Sequence, residues 1–87
     1  MTFQIFLTKR AHKALRSLPN RLRRRIEEKI KLLAEDPLPR GVTKLIGLEH
    51  AYRLRVGDYR ILYSIRWREK IIIIFRIALK RKAYKSR

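Results

Sequence analysis

The most constraining feature of this sequence is an alternating pattern on both sides of a Gly-Asp pair. Apolar or aromatic side chains occupy every second position over 52–56 and again over 59–65. Gly57 and Asp58, which separate the two stretches, are typical of a two-residue hairpin turn. The pattern therefore predicts an antiparallel hairpin, and counting outward from the turn gives its register. The predicted cross-strand pairs are Val56 with Tyr59, Arg55 with Arg60, Leu54 with Ile61, Arg53 with Leu62, and Tyr52 with Tyr63.

This register separates the side chains of the hairpin onto two faces. One face is apolar or aromatic, which predicts a core layer beneath helices. The other face gathers Arg53, Arg55 and Arg60, with Arg55 directly opposite Arg60. Like charges paired across strands destabilise a hairpin, so we expect something to compensate them. Two interpretations remain open: a solvated outer face that protects an edge hairpin against aggregation, or a site that binds phosphate.

The first forty residues predict a strand followed by two helices. Alternation over 3–7 indicates a short strand with an apolar face. Thr8 is placed to cap an amphipathic helix that Pro19 interrupts, and Asn20 to cap a longer helix that ends at Asp36-Pro37. Helices joined this tightly are expected to be antiparallel.

The last strand and the overall fold class follow from the remaining pattern. After a predicted turn at 67–70, the run 71–79 is so apolar that both faces of the strand should be covered. The chain is therefore expected to form one α+β domain over 1–87. In that domain an N-terminal strand and an antiparallel helix pair pack on a mostly antiparallel sheet of about four strands.

Charge and composition restrict the partners and the chemistry. The chain has 24 Lys plus Arg against 7 Asp plus Glu, a net charge of +17, which points to a polyanionic partner. It has no Cys and only two His, so we expect no metal site and no cofactor. The longest apolar run is 71–75, far short of the about 20 residues that span a bilayer. With no recognisable export signal, we expect a cytoplasmic protein.

A basic stretch with one aromatic residue follows the last predicted strand. A ring among cations suits stacking on an unpaired base while the cations bind phosphates. A frayed basic terminus is the alternative. His12 and His50 could in principle form a ribonuclease pair, but nothing in their spacing brings them together. The candidate RNA-binding residues of the basic stretch are Lys80, Lys82 and Lys85, beside Arg81 and Tyr84.

The order of elements and the segment 52–63, Tyr-Arg-Leu-Arg-Val-Gly-Asp-Tyr-Arg-Ile-Leu-Tyr, resemble the RelE/ParE superfamily of prokaryotic type II toxins. The resemblance extends to the segment 44–48, Lys-Leu-Ile-Gly-Leu, and to the basic end of the chain, so it covers nearly the whole sequence. It implies a RelE-like, microbial-ribonuclease-like fold. The RelE branch implies a metal-independent endonuclease that cleaves messenger RNA in the ribosomal A site. Its partners would be a 70S-type ribosome and a small acidic RelB-like antitoxin that keeps it inactive.

Carried over by position, the resemblance implies the site residues Arg53, Arg55, Arg60, Arg81 and Tyr84, with Lys80 as an alternative to Arg81. Relatives often have lysine where Arg53 and Arg55 stand. Arginine stays protonated at any working pH, so these two residues are expected to stabilise charge and not to act as bases. Two other functions remain open: inhibition of DNA gyrase, as in the ParE branch, and RNA binding without catalysis.

Overall fold

The chain alternates between a sheet and a helix pair in the order βααββββ. The computed structural model describes residues 2–80. The α+β class predicted from the sequence is confirmed, whereas the described sheet has five strands instead of about four, the extra strand being only two residues long. The elements are β1 (Gln4–Leu7), α1 (Lys9–Arg16), α2 (Asn20–Glu35), β2 (Thr43–Lys44), β3 (Ala51–Val56), β4 (Tyr59–Arg66) and β5 (Ile71–Leu79).

The sheet is mixed, with one parallel pair at its edge. Its strand order is β1-β5-β4-β3-β2, in which β1 runs parallel to β5 and every other neighbouring pair is antiparallel. The hairpin register predicted for β3 and β4 is confirmed at every pair, from Tyr52 opposite Tyr63 to Val56 opposite Tyr59. The register could be predicted because the turn and the alternation specify the same pairing.

Both helices pack on one face of the sheet, and the core lies between the two layers. The apolar stripes of α1 and α2 meet the inward side chains of β3, β4 and β5. Of these core residues, Ile26, Leu33, Ile61, Ile72 and Ile74 are fully buried. Neither α1 nor α2 is long and apolar enough to span a membrane.

The other face of the sheet is open, which corrects the expectation for the last strand. Ile72, Ile74 and Ile77 of β5 are buried, but Ile71 and Ile73 are only half-buried. The expectation that both faces are covered is therefore wrong for β5. The reason is that both helices lie on the same side, so the apolar run has helices over one of its faces only.

Of the two predicted N-caps, the structure confirms the one for α1 and contradicts the one for α2. The Thr8 hydroxyl accepts a hydrogen bond from the Ala11 N–H at 3.1 Å, as an N-cap should. The prediction that Asn20 caps α2 is wrong, because Asn20 is already the first helical residue and Pro19 holds the cap position. Pro19 has an extended backbone, and its carbonyl accepts the first helical bond from Arg23 at 2.8 Å, so the helix begins one residue earlier than expected.

A buried tyrosine joins the loop after α2 to the centre of the sheet. The Tyr63 hydroxyl donates a 2.6 Å hydrogen bond to the carbonyl of Pro37. Burial raises the pKa of Tyr63 well above its ordinary value, and the neighbouring Tyr52 and Asp36 raise it further. The phenol is therefore held in its neutral, donating form, and it fixes the loop against β4.

Candidate functional site

The open face of the sheet carries arginines on three adjacent strands. The pairing places Arg55, Arg60 and Ala78 in one row across β3, β4 and β5. The next row, one step further from the hairpin turn, consists of Arg53, Leu62 and Arg76. Residues paired across strands share a face of the sheet, so all these side chains lie on the side away from the helices. We call this set the arginine face: Arg53, Arg55, Arg60 and Arg76.

Arg60 is the most constrained member of the arginine face. It is only 4% exposed, the sole buried charged residue of the described part of the chain. Its Nη1 donates to the carbonyl of Tyr59 at 3.1 Å and to that of Gly57 at 3.4 Å. These charge-assisted bonds set carbonyl dipoles against the cation. They compensate part of the repulsion expected from Arg55 directly opposite, whose own side chain is exposed.

The hairpin turn beside Arg60 is approached by two further basic residues. Gly57 has a φ of +60°, the left-handed region that glycine adopts easily. A methyl group built on it would lie 3.5 Å from Nη1 of Arg25, so this α2 residue rests against the turn. On the other side, the Lys80 N–H donates to the Asp58 carbonyl at 2.9 Å. The turn end of the sheet therefore receives basic residues from α2, from β4 and from the end of β5.

Within residues 2–80, no carboxylate pairs with the two arginines next to the hairpin turn, Arg55 and Arg60. Within residues 2–80 the single ion pair joins His50 to Glu49 at 4.0 Å, so neither Arg55 nor Arg60 has a carboxylate partner there. Arginine stays protonated at working pH, so the arginine face can bind and stabilise an anion but cannot accept a proton. His50 precedes β3 at the end of the strand away from the turn, and His12 lies on α1. Over the same residues, no cluster of three or more His, Asp or Glu side chains could hold a metal ion.

The structure brings together three of the site residues expected from the sequence and adds two others. Arg53, Arg55 and Arg60 share one face, as the register predicted. Lys80 is the last described residue and lies beside the turn. Arg76 and Arg25 were missed: simple alternation assigns Arg76 to the core side, and the approach of Arg25 is a tertiary contact without a local signal. The other candidates, Arg81, Lys82, Tyr84 and Lys85, lie outside the described residues.

Solved structures of RelE proteins share this fold of two helices on a mixed sheet. The structure superposes with a TM-score of 0.82 on a chain of an archaeal RelE–RelB complex from Pyrococcus horikoshii OT3, at 39% identity, covering 92% of this chain and 97% of the other. It superposes with a TM-score of 0.79 on a chain of the RelBE2 toxin–antitoxin complex from Mycobacterium tuberculosis, at 27% identity, covering 92% and 100%.

The sequence comparisons place the chain in a family. The model of the ParE toxin of type II toxin–antitoxin systems matches residues 5–84. A Methanocaldococcus jannaschii protein named for the toxin RelE1 is 34% identical over 89 aligned residues, 99% of each chain. The chain therefore belongs to the RelE/ParE superfamily of type II toxins, and its relatives place it in the RelE branch.

Proposed function

We propose that this toxin is a ribosome-dependent endoribonuclease that cleaves messenger RNA in the A site and thereby inhibits translation. The observation that carries the proposal is the pairing of β3 with β4, which sets Arg53, Arg55 and Arg60 on one open face of the sheet. Such a face suits a scissile phosphate, on which negative charge accumulates during reaction. The RelE-named relatives support the same branch of the family. A protein that acts on ribosomes would work in the cytoplasm.

The proposed reaction needs no metal, because RNA contains its own nucleophile. The 2′-hydroxyl oxygen attacks the adjacent phosphorus, and the bond from phosphorus to the 5′-oxygen breaks. This step leaves a 2′,3′-cyclic phosphate and a 5′-hydroxyl. A base must accept the 2′-proton, and an acid must protonate the departing 5′-oxygen. Arg53, Arg55 and Arg60 would stabilise the pentacoordinate phosphate, and the carbonyl bonds of Arg60 would keep its charge in place before substrate arrives.

The proton transfers are assigned to the basic end of the chain. Tyr84 would stack on a base or accept the 2′-proton, and Arg81 or Lys80 would assist the leaving group. None of these groups is a strong base at neutral pH. Positioning of the message by the ribosome would therefore supply part of the rate, since a well-oriented attack needs weaker acid–base assistance.

An antitoxin is proposed as the second partner. The similar chain from Pyrococcus belongs to a RelE–RelB complex, and the one from Mycobacterium to a toxin–antitoxin complex. A chain with a net charge of +17 should bind nucleic acids non-specifically unless an acidic partner neutralises its charge. We expect a small acidic protein, RelB-like, that covers the helix pair and the arginine face. Co-purification of this toxin with the product of the neighbouring gene tests the proposal, and a basic or non-binding product would contradict it.

The nuclease proposal is tested in a purified translation system. Primer extension on the message should show cuts in the A-site codon with the wild-type toxin and none with Arg60→Ala. Because Arg60 is buried, Arg55→Gln is the cleaner variant, since its side chain is exposed and its loss leaves the core intact. Arg66→Gln is the matched control: it removes the same charge from β4 on the same face, at the opposite end of the strand. Intact messages with folded wild-type protein would contradict the proposal.

Inhibition of DNA gyrase is the second candidate, because the matching family model is that of the ParE toxin. It is distinguished by a supercoiling assay without ribosomes, in which a gyrase poison produces broken DNA. A non-catalytic RNA-binding module would bind oligonucleotides with strong salt dependence and leave them whole.

A further inference from the structure

A one-residue irregularity in β5 decides on which face Arg76 lies. Tyr63 of β4 pairs with Ile74, but the next residue, Leu62, pairs with Arg76, so Phe75 is the extra residue of a β-bulge. Ile74 faces the core. In a regular strand the residue two positions later, Arg76, would also face the core. The bulge reverses the alternation, so that Ile77 is buried at 4% exposure and Arg76 turns to the open face.

The bulge keeps Arg76 out of the core and at the same time places Ile77 inside it. Without it, a charged side chain would lie beneath the helices, which is strongly unfavourable, and Ile77 would be exposed. Keeping a charge out of the core would be satisfied equally by any polar residue at position 76. Only a cation at position 76, however, gives this row a second positive charge in addition to that of Arg53. Bulges are common beside active sites, where they re-aim side chains.

The row that contains Arg76 has the dimensions and chemistry of a nucleotide subsite. Arg53 and Arg76 stand two strand spacings apart, roughly 9 to 10 Å between backbones. Leu62 lies between them and is buried even though it faces away from the helices. The row therefore places a cationic side chain on each side of a buried apolar residue. Two successive phosphates of an RNA strand could meet these two cations.

We infer that Arg76 binds the RNA backbone at the phosphate next to the scissile one, extending the substrate-binding surface from β3 and β4 onto β5. The inference rests on the proposed function for its substrate. Within that function Arg76 is a substrate-binding residue that holds the strand in register, while Arg55 and Arg60 meet the reacting phosphate in the neighbouring row.

The test compares a neutral and a charged replacement, Arg76→Gln and Arg76→Lys, with Arg66→Gln as the control for loss of one charge elsewhere on the open face. If Arg76 only fills the outer side of the bulge, the Gln and Lys variants will behave alike. If it binds phosphate, Arg76→Gln should lower the single-turnover cleavage rate on programmed ribosomes about tenfold to a hundredfold, as for one lost charged hydrogen bond. Arg76→Lys should recover most of that loss. Circular dichroism and thermal unfolding verify that each variant is folded.

A second measurement separates this inference from the proposed function. Binding to a single-stranded 2′-O-methyl RNA, which has no free 2′-hydroxyl and cannot be cut, is measured against salt concentration. Arg76→Gln should flatten the logarithmic salt slope by about 0.7, the value for one phosphate contact on a single strand, and Arg66→Gln should not. An unchanged slope and rate in Arg76→Gln, with an active wild type, overturns the inference alone. A wild type that binds with an Arg76-dependent slope but never cleaves overturns the nuclease function and leaves the subsite standing. A wild type that neither binds nor cleaves overturns both.

Discussion

Two arginines face each other across the hairpin, and only one of them is held in place by the protein. Arg60 is fixed by two backbone carbonyls, whereas Arg55, opposite it, is exposed. Arg55 should not stabilise the folded state, because like charges that face each other across strands repel. Under the proposed function, the pair is retained because it binds phosphate. This arrangement gives Arg55 opposite effects on stability and on function, which can be measured separately.

Replacing Arg55 should therefore stabilise the fold while it weakens the toxin. Arg55→Gln removes the repulsion with Arg60 and should raise the free energy of unfolding by about 0.2 to 1 kcal/mol at low salt, the range for a cross-strand pair. The same variant should lose most A-site cleavage. Urea denaturation measures the first effect and primer extension the second. Arg66→Gln, whose cross-strand neighbour is Ile71, should change neither. A less stable Arg55→Gln would show that the pair is not repulsive.

Tyr63 should make the stability of the protein depend on pH in the alkaline range. The folded protein raises the pKa of Tyr63 above the ordinary value of 10, so the neutral phenol is favoured in the folded state. Its contribution is complete below pH 10 and is lost as pH rises beyond it, with a slope of up to about 1.4 kcal/mol per pH unit. Tyr63→Phe should lose about 1 kcal/mol at pH 7 with the bond to Pro37, but it should lack this alkaline slope.

The control for that measurement is Tyr52→Phe, which removes a hydroxyl from the neighbouring ring, 6.0 Å away between centroids, and leaves the bond to Pro37 intact. Groups that titrate alike in two proteins cancel when their curves are subtracted, so the difference between wild type and Tyr63→Phe reports the loss of the Tyr63 hydroxyl. Parallel curves for wild type and Tyr63→Phe above pH 10 would contradict the prediction.

For single residues, the sequence predicted on which face of the sheet a side chain lies, but it did not predict the burial or the hydrogen-bond partners of that side chain. Alternation around Gly57 and Asp58 was enough to group Arg53 with Arg55 and Arg60, because side-chain direction in a strand follows from parity. It could not predict that Arg60 is buried, since its partners are backbone carbonyls that only the folded turn brings within reach. The roles assigned to Arg81 and Tyr84 remain predictions.

Strands are the elements in which local pattern and tertiary structure disagree most. The β3–β4 hairpin is local, so its register followed from the sequence and its outer bounds followed to within one residue. The parallel pairing of β1 with β5 joins residues more than sixty positions apart, so no local signal specifies it. The two-residue strand β2 is too short to show a period. The bulge in β5 arises from competition between Ile77 and Arg76 for the core, which becomes evident only when the pairing with β4 is known.

The bulge leads to a prediction about a deletion. Removing Phe75 should leave a regular strand in which Ile74 and Arg76 become adjacent and keep their present partners, Tyr63 and Leu62. The deletion variant should therefore fold, losing roughly 1 to 3 kcal/mol through the packing of Phe75 and local adjustment. Its cleavage should fall, because straightening the strand changes the aim of Arg76. Thermal unfolding and the A-site assay measure the two effects.

Deletion of Ser64 is the matched control for the Phe75 deletion. Ser64 lies in β4, which is paired along both edges, to Ala51 of β3 and to Ile73 of β5. Losing one residue there turns inward side chains outward on one side of the deletion, and this variant should not fold. If both deletions unfold the protein, or both are tolerated, then Phe75 is not a dispensable bulge residue.

The net positive charge of the molecule should destabilise its folded state, because the charges repel one another. The chain has a net charge of +17, and the structure measures 33 × 29 × 25 Å along its principal axes. At 0.01 M salt the screening length, about 30 Å, is as large as the molecule, so the charges repel one another across its whole width. At 1 M salt the length falls to about 3 Å and this repulsion disappears. The protein should therefore be least stable in dilute buffer and should gain several degrees in Tm as NaCl is added.

Screening alone does not distinguish a binding site from a diffuse charge, but the choice of anion does. At equal ionic strength, phosphate should raise Tm further than chloride if the arginine face binds it. At ten times the dissociation constant, ligand binding adds about 1.4 kcal/mol, and each kcal/mol corresponds to about 4 to 8 °C in a domain of this size. The additional stabilisation should shrink in Arg55→Gln and persist in Arg66→Gln, although both variants have the same net charge. Equal phosphate stabilisation in wild type and both variants would mean that phosphate has no preferred site on the arginine face, and the proposed contact with RNA would lose its structural basis.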